Sequence, residues 1–476
     1  MSARYLSPRA LLFVATTGFA AGFAALAEIR HAAFWSGRFD LGNLTQAVWS
    51  TAHGHLLEMT DLQGRQISRL GAHFDPLVAA LAPLWRVWPS PTLLLVVQAV
   101  AVAAGAVPVF LLARKHLASE WAGLAFALVY LLYPATEWLV VDDFHPVALA
   151  TPLLLTGFWL LDEDRVLLFA VAGGFACLTK EHVGFTVAAM GLWYAISRHR
   201  PAGWGIAVAG AAASLIAIAV IVPHFAPGGG SPFESRYTDV GGSPSGIVKT
   251  ALTDPATTLS AITEGRDLQY LFHLLVPLAF LSLLGVGAAL TAAPEIVLNL
   301  LSDVHTQTSI HFHYTAGAIP GLVVGAIFGV ARLRSRTMRA RTLIVRAVLA
   351  VAIVATVAYG PVPTWSHIPL GQEVGVFQYR ITARDHAAAA AVRLIPATAP
   401  VSASNTMGAH VSGRRRVFSF PTLKEARWIA VDRFRMSYGD NNKAHRRGLR
   451  ALRRIRQDPR WRVVFAKKGI LVLHRV

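Results

Sequence analysis

A series of apolar segments constrains the fold of this chain more than any other feature of its sequence. A helix needs about 20 mostly apolar residues to cross the hydrocarbon core of a bilayer. Hydrophobic residues make up 54% of the 476 residues and charged residues only 15%, a composition that excludes an ordinary soluble enzyme. The sequence therefore predicts a mainly α-helical, polytopic membrane protein with about eleven transmembrane helices. The predicted segments are 11–26, 91–112, 121–139, 147–161, 167–178, 183–196, 206–223, 270–286, 287–301, 316–330 and 343–359.

The positive charges between these segments predict their orientation. Cytoplasmic loops of membrane proteins carry an excess of Lys and Arg. The short loops with such an excess contain Arg114, Lys115, Arg198, Arg200, Arg332, Arg334, Arg336, Arg339 and Arg341. They alternate with loops that carry acidic and histidine side chains. We therefore expect a multi-pass membrane protein with a cytoplasmic N-terminus, a long first outer loop at 28–90 and an extracytoplasmic C-terminal domain.

The strong positive charge of the chain belongs almost entirely to its C-terminal part. Residues 393–476 hold 20 Lys and Arg against four Asp and Glu, whereas the whole chain has a net charge of +18. We divide the chain into a transmembrane domain at 1–361, a linker at 362–384 and a basic soluble α/β domain at 385–476. The residue pattern of that domain predicts strands at 401–404, 428–431, 461–466 and 470–474, and helices at 387–394 and 444–456.

The second of these helices is the most basic segment, and its charge has two explanations. Its arginines either form a solvated face or bind an anionic partner, such as lipid head groups or an acidic polymer. No zinc-ligand spacing, recognition helix or RNA-binding motif accompanies them, which argues against nucleic acid as the partner. The single cysteine, Cys177, lies in an apolar segment and leaves neither a disulfide framework nor a thiol-based metal site.

The polar, glycine-punctuated stretch at 30–55 follows the first apolar segment and contains Asp40, our first candidate for a catalytic residue. Asp favours helix N-caps, so Asp40 also has a purely structural explanation. Further ionisable residues occur later in this first loop and on the following outer loops, and such groups at a membrane edge are costly enough to indicate a site when several converge. They are His73, Asp142, Asp143, His145, Lys180, Glu181, His182, His311 and His313.

Acidic and cationic groups together fit the transfer of a sugar from a phosphate carrier. A carboxylate can deprotonate the accepting hydroxyl, and cations can stabilise the leaving phosphate. Imidazoles and carboxylates could instead hold a divalent cation such as Mg²⁺ or Mn²⁺, and the reaction could equally require no cofactor. Each motif also has a structural explanation, because Asp142 or Asp143 could cap a helix, Lys180 could pair with Glu181, and the histidines could serve as hydrogen-bonding side chains.

Six motifs carry a resemblance to a known family. They are FDLG at 39–42, QAVW at 46–49, HFDP at 73–76, DFHP at 143–146, KEHVG at 180–184, and NLLS at 299–302 together with Pro294. In this order they resemble a family of uncharacterised bacterial polytopic membrane proteins, known as a domain of unknown function, over nearly the whole chain. That family in turn distantly resembles the GT-C glycosyltransferases, such as protein O-mannosyltransferases and the aminoarabinose transferases of lipid A.

The GT-C resemblance implies a membrane glycosyltransferase that moves a sugar from a polyprenyl-phosphate donor to an extracytoplasmic glycan, lipid or protein. It implies an acceptor-activating acid at Asp40, a second acid at Asp143 or Asp142, and a donor-phosphate ligand at Lys180. We take Asp40 and Asp143 as the catalytic residues. The predicted substrate-binding residues are Arg38, Asn43, Gln46, His73, Asp142, His145, Lys180, Glu181, His182, His313 and Tyr314. The expected partners are the lipid-linked donor, membrane lipids and an acceptor that the basic C-terminal domain would cover or select, and its charge suggests that this acceptor is anionic.

A transporter or lipid flippase is the alternative function, with a polar path through the same charged residues. Transporters commonly contain paired repeats and broken helices in both halves of the chain. We find no internal repeat, and the predicted break lies around Pro294 in the ninth segment. A binding or assembly scaffold is a third hypothesis, which the intact acidic positions disfavour.

Overall fold

The computed structural model describes residues 6–230, 234–333, 338–437 and 442–476, and it is mainly helical. Arg334 and Arg336, which belong to the charge pattern used for orientation, lie outside the described residues. The helices before residue 360 are α1 Pro8–Ala32, α2 Asn43–Ala52, α3 Ala82–Val87, α4 Thr92–Ala104, α5 Ala106–Leu117, α6 Glu120–Leu131, α7 Pro134–Val141, α8 Ala150–Asp162, α9 Val166–Cys177, α10 Val183–Ser197, α11 Ala202–Ile216, α12 Val222–Phe225, α13 Pro244–Thr253, α14 Pro255–Ala261, α15 Gly265–Leu275, α16 Val286–Ala289, α17 Ala293–Leu300, α18 Ala318–Arg332 and α19 Met338–Tyr359.

The predicted apolar segments coincide with one helix or with consecutive helices, except that 270–286 is interrupted after α15. Helices α6 and α7 together are long enough for one span if a bend of 49° between them is allowed. Four further stretches are long enough without such a bend, and the remaining apolar helices have only 10–17 residues. Among the described residues, length and composition therefore support four or five clear crossings rather than eleven. The four unbroken stretches are Pro8–Ala32, Thr92–Leu117, Ala202–Phe225 and Arg339–Tyr359.

Backbone constraints explain where the helices break. Pro134 lies in the first turn of α7, and the preceding residue, Tyr133, is extended because a proline ring disfavours the helical conformation before it. Around Pro294, where the sequence predicts a break, a 3-10 turn at Leu290–Ala292 separates α16 from α17. Pro294 lies in the first turn of α17, where its missing N–H needs no partner. A further interruption lies at Ala279 and Phe280, which adopt left-handed conformations with φ of 49° and 56°.

The C-terminal part contains the small sheet that the sequence predicts. Its elements are α20 Ala383–Arg393, β3 Val401–Ala403, α21 Asn405–His410, β4 Val417–Ser419, β5 Trp428–Asp432, α22 Asn442–Gln457, β6 Trp461–Lys467 and β7 Ile470–Arg475. Strands β3 and β4 are parallel, β3 and β5 are parallel, and β7 pairs antiparallel with β5 and β6, which gives the order β4-β3-β5-β7-β6. The four strands that the sequence predicts are β3, β5, β6 and β7, whereas it does not predict β4 and α21.

The first loop contains a short antiparallel hairpin, β1 Glu58–Thr60 and β2 Gln66–Ser68, that packs against the edge strand β4. Arg38 joins the two parts and is only 1% exposed. Its guanidinium donates to the carbonyl oxygen of Thr60 at 2.8 Å, to the hydroxyl of Ser419 at 2.7 Å and to the carbonyl of Val417. Gln46 makes a second connection, because its amide donates to the carbonyl of Arg415 at 2.7 Å and accepts from the N–H of Thr60 at 3.0 Å.

We predict that Arg38→Ala loosens the C-terminal domain from the first loop. The change leaves buried carbonyl oxygens without a donor, at a cost of about 1–3 kcal/mol for each. The melting temperature should fall, and limited proteolysis between the two domains should accelerate. Arg415→Ala is the matched control, because Arg415 faces Glu58 across the same interface at 3.5 Å but its side chain is 53% exposed. Its effect should stay below about 1 kcal/mol, and equal effects of the two changes would contradict the prediction.

Candidate functional site

A cavity of about 870 Å³ lies where the hairpin of the first loop meets the loops that follow α7 and α17. A smaller cavity of about 90 Å³ shares part of this lining and adds Lys180 and Asp75. The site therefore draws on loops far apart in the sequence. The polar residues of the larger cavity include Asp40, Asn43, Asp61, Arg65, His73, Asp142, His145, Arg236, His313 and Tyr314.

Asp40 lies in a π-helical turn, Arg38–Gly42, directly before α2, and lines both cavities. Its side chain is 28% exposed. The N-cap of α2 is Gly42, and no side chain caps that helix. The local backbone therefore gives Asp40 no capping role for α2 and presents its carboxylate to the cavity.

Two histidines and a second carboxylate lie beside Asp40. His145 approaches Asp40 with 3.5 Å between Nε2 and Oδ1, and its Nδ1 lies 2.8 Å from the backbone oxygen of Asp142. The carboxylate of Asp142 accepts from the N–H of His313 at 3.1 Å and lies 3.3 Å from Nδ1 of the same residue. The rings of His145 and His313 stack with centroids 3.6 Å apart. The four side chains therefore form one connected cluster.

Burial and charge together set the protonation of this cluster. Burial raises the pKa of Asp142 to about 6, although the charges of His145 and Arg30 oppose the rise. Burial acts to lower the pKa of His145, but the hydrogen bond to Asp40 and the charge of Asp142 outweigh it and raise that pKa. The pKa of His313 falls well below its usual value through burial and the neighbouring charge of His145. The surroundings therefore favour the protonated form at His145 and the neutral form at His313.

Asp143 is placed differently from the sequence prediction. It lines neither cavity. Its carboxylate pairs with Arg30 at 3.0 Å and accepts the N–H of Gly37 at 2.9 Å, and its side chain is 7% exposed. Asp143 has a left-handed backbone conformation with φ of 36°, and its carboxylate contacts Arg30 and Gly37, whereas that of Asp142 contacts His313. Of these two neighbouring acids, Asp142 therefore lines the larger cavity, and Asp143 is a buried partner of the first loop.

The cationic side of the site contains Lys180 and Arg236. Both line the smaller cavity with Asp40, and their charged groups lie 5.8 and 6.0 Å from the ring centre of Tyr314. Arg236 also donates to the hydroxyl of Tyr314 at 3.1 Å and to Gln307 at 3.2 Å. The sequence did not single out Arg236, because it lies in a long Gly- and Pro-rich loop whose course only the fold defines.

The neighbours of Lys180 hold its loop in place. Glu181 accepts from the N–H of Phe74 at 3.0 Å and lies 3.0 Å from Nδ1 of His73. Burial lowers the pKa of His73 to about 3, so the neutral ring bonds to the carboxylate. His182 lies 2.8 Å from the buried Glu295. Glu181 and His182 line neither cavity, so their contacts position the loop rather than reach into the site.

The remaining predicted residues divide between the cavity and the domain interface. Asn43 lines the larger cavity and donates to the carbonyl of Phe39 at 3.0 Å. Arg38 reaches the same cavity, but its guanidinium bonds across to β4, and Gln46 lines neither cavity. His311 contacts the ring of Trp138 at 4.7 Å and also lies outside both linings.

Asp142, His145 and His313 could hold a metal ion. Each offers one ligand atom, and these atoms lie within 4.8 Å of one another. Two imidazoles with one carboxylate suit Mn²⁺ or Zn²⁺ better than Mg²⁺, which prefers oxygen ligands. The donor set is compatible with a divalent cation but does not require one, because each of the three side chains already has a hydrogen-bond partner in the cluster: His145 the backbone oxygen of Asp142, and the Asp142 carboxylate the N–H and ring of His313.

Comparisons with known proteins agree with this architecture. No curated protein matches the sequence. The crystal structure of ArnT from Cupriavidus metallidurans in the apo state, a GT-C glycosyltransferase, is similar in fold with a TM-score of 0.50 and 13% sequence identity. The similarity covers 97% of this chain and 98% of ArnT. Residues 30–472 match the family described as "Predicted membrane protein (DUF2079)". The chain therefore belongs to this family of predicted membrane proteins.

Proposed function

We propose that this chain is a membrane glycosyltransferase of the GT-C type that transfers a sugar from a polyprenyl-phosphate donor to an acceptor at the membrane surface. One observation carries the proposal. A carboxylate, Asp40, shares the smaller cavity with two cations, Lys180 and Arg236. Acid–base catalysis of sugar transfer needs a carboxylate at the accepting hydroxyl and positive charge at the leaving phosphate. The ArnT-like fold supports the same assignment.

The proposed reaction is a single displacement at the anomeric carbon of the donor sugar. Asp40 takes the proton of the acceptor hydroxyl, whose oxygen forms the new bond to that carbon. The bond between the anomeric carbon and the phosphate oxygen breaks, and the electron pair leaves with the polyprenyl phosphate. Lys180 and Arg236 stabilise the charge that develops on the leaving phosphate. A single displacement of this kind inverts the configuration of the anomeric carbon.

His145 and Asp142 keep the base in its active form. A protonated His145 faces Asp40 at 3.5 Å and favours its ionised state, because an opposite charge stabilises a carboxylate. Ionised Asp142 in turn stabilises the protonated form of His145. The chain of contacts from Asp142 through His145 to Asp40 therefore links the protonation of the three groups.

The acceptor side of the site would be the hairpin of the first loop. Asp61 and Arg65 lie at its tip, line the larger cavity and bond to each other at 2.7 Å. None of the lining residues among those that the structure describes belongs to 385–476. The C-terminal domain would therefore select the acceptor indirectly, by holding the hairpin through Arg38 and Gln46.

Replacing Asp40 by Asn should reduce sugar transfer by roughly 10²–10⁴-fold, because the amide cannot accept the proton of the acceptor hydroxyl. The measurement is transfer by the purified full chain in lipid from a panel of radiolabelled polyprenyl-phosphate sugars to cell-envelope acceptors. Asp61→Asn is the matched control, since Asp61 lines the same cavity, and it should change the rate only a few-fold. Full activity of the Asp40→Asn protein would remove Asp40 from the chemistry.

The rate of transfer should rise with pH around pH 6. Asp142, whose pKa is raised to about 6 by burial, is protonated below that pH and ionised above it. Only the ionised form stabilises the positive charge on His145 that faces Asp40. The pH–rate profile of the Asp142→Asn protein should therefore lack this rise while its maximum rate falls. A profile unchanged by the substitution would show that another group sets the acid limb.

Replacing either Lys180 or Arg236 should lower kcat/KM for the donor more than kcat/KM for the acceptor. Lys180→Met and Arg236→Met should each lower kcat/KM for the donor by about 10- to 100-fold, as expected from losing a charge-assisted hydrogen bond of about 1.5–3 kcal/mol. Arg65→Met serves as the control, because Arg65 lines only the larger cavity. An equal loss in the Arg65→Met protein would indicate a general charge effect instead of a phosphate site.

The transporter hypothesis retains one observation in its favour. Helices are interrupted in both halves of the chain, at the α6–α7 bend and at Ala279 and Phe280. Such interruptions accompany substrate paths in transporters. Reconstituted vesicles distinguish the two functions, because a flippase moves a labelled polyprenyl-phosphate sugar between leaflets without breaking its bond to phosphate. Movement without any transfer, across the full donor and acceptor panel, would favour the transporter.

A further inference from the structure

Helix α22 presents a dense cationic face on the C-terminal domain. Its cations are all exposed, and none of them forms an ion pair with a described residue. The helix contains no acidic residue. Its buried residues are Gly448 and Leu452. The cations are Lys443, Arg446, Arg447, Arg450, Arg453, Arg454 and Arg456.

This arrangement opposes the formation of the helix. Arg446 lies four residues before Arg450, and Arg450 lies four residues before Arg454, a spacing at which like charges repel on a helix surface. Packing on the opposite face offsets the repulsion, since Leu452 joins a cluster with Trp461 and Leu473 of the sheet. A layer of anionic groups against the exposed face would relieve the repulsion between the arginines. Such a layer could contact all the exposed cations of α22 together.

The helix lies close to the end of a membrane span. The middle of α22 packs on Met436, whose atoms would lie 3.4–3.5 Å from a Cβ placed at Gly448. The preceding residue, Arg435, donates to the carbonyl oxygens of Ala33 and Phe34 at 3.1 and 2.9 Å, directly after the end of α1. Since α1 is long and apolar enough to span a membrane, these contacts place α22 near the membrane surface.

Exposed aromatic side chains surround the junction at which Arg435 contacts Ala33 and Phe34 at the end of α1. Arg435 stacks over the ring of Trp35 at 3.7 Å, and Phe377 contacts Trp35 with ring centres 5.0 Å apart. Phe377 and Phe434 are 60% and 66% exposed. Aromatic rings are enriched at the level of lipid head groups. The junction thus combines aromatic anchors with a neighbouring cationic helix, which is the composition of a surface that rests on a bilayer.

We propose that the cationic face of α22 binds the anionic head groups of phospholipids in the membrane that the chain spans. Polybasic segments next to a membrane span are attracted to anionic lipids, and the attraction is screened within about 10 Å at 0.1 M salt and about 3 Å at 1 M salt. The exposed aromatic rings at this junction favour a lipid surface over a soluble acidic polymer, because lipids can bury apolar rings and a hydrated polymer leaves them in water. This surface is separate from the proposed sugar-transfer site.

Photo-cross-linking in nanodiscs that hold the full chain tests the proposal. The probe is phosphatidylglycerol with a diazirine on its head group, and phosphatidylcholine with the same diazirine is the comparator. Peptides that cover 442–468 are quantified by mass spectrometry after irradiation at 0.1 M and 1 M salt. We expect about fivefold or greater enrichment of phosphatidylglycerol over phosphatidylcholine at the lower salt, and its loss at the higher salt.

Two triple variants separate binding by α22 from a general charge effect. R446Q/R450Q/R453Q should reduce the enrichment by more than half and should fold normally, because it removes repulsion from an exposed face. R393Q/K424Q/R427Q replaces three exposed cations elsewhere on the domain and should leave the enrichment unchanged. Equal labelling by the two lipids, or equal loss in both variants, would overturn the proposal. Binding of fluorescent polyphosphate that depends on Arg446, Arg450 and Arg453, with no lipid preference, would overturn it in favour of a soluble polymer.

Discussion

The partly buried ion pair between Arg30 and the buried Asp143 is the contact on which the site depends. Arg30 lies at the end of α1 and Asp143 just after α7, and their charged atoms are 3.0 Å apart. Asp143 also accepts the N–H of Gly37, which begins the turn that carries Asp40. Removing one partner of such a pair leaves an uncompensated buried charge and is strongly destabilising. The pair thus fixes the first loop against the loop after α7, and so brings Asp40 to Asp142 and His145.

The C-terminal domain supports this arrangement from outside the cavity. Arg38, two residues before Asp40, is buried against β4, and Gln46 bonds to the same edge of the sheet. Arg435 makes a third connection, to the end of α1. The C-terminal domain therefore contacts the first loop on both sides of Asp40, at the end of α1 and at Arg38 and Gln46. Rigid support of this kind keeps a catalytic carboxylate in one geometry without contributing a residue to the chemistry.

Sequence reasoning located the helices better than it located the site. Apolar composition placed the helical segments because burial in a bilayer or a core needs continuous apolar faces, which are visible in the sequence. The motif around Asp40 and Lys180 also directed attention to residues that line the cavities. It could not assign the neighbouring carboxylates, since Asp143 pairs with Arg30 and Asp142 contacts His313, both of which lie far away in the chain. It missed Arg236 and β4, whose positions depend on contacts between segments distant in the chain.

The sequence by itself determined the class of molecule: an apolar, mainly helical membrane chain with a basic C-terminal domain and an acidic residue after its first span. These properties follow from composition and local periodicity, which do not depend on how the segments pack. The tertiary structure decided which ionisable groups meet. It brought Asp40 to His145 and Asp142, paired Asp143 with Arg30, and placed Arg236 and Lys180 on the lining of one cavity. Charges far apart in the chain interact strongly only when the fold brings them together and removes the water between them, so only the fold could define the site.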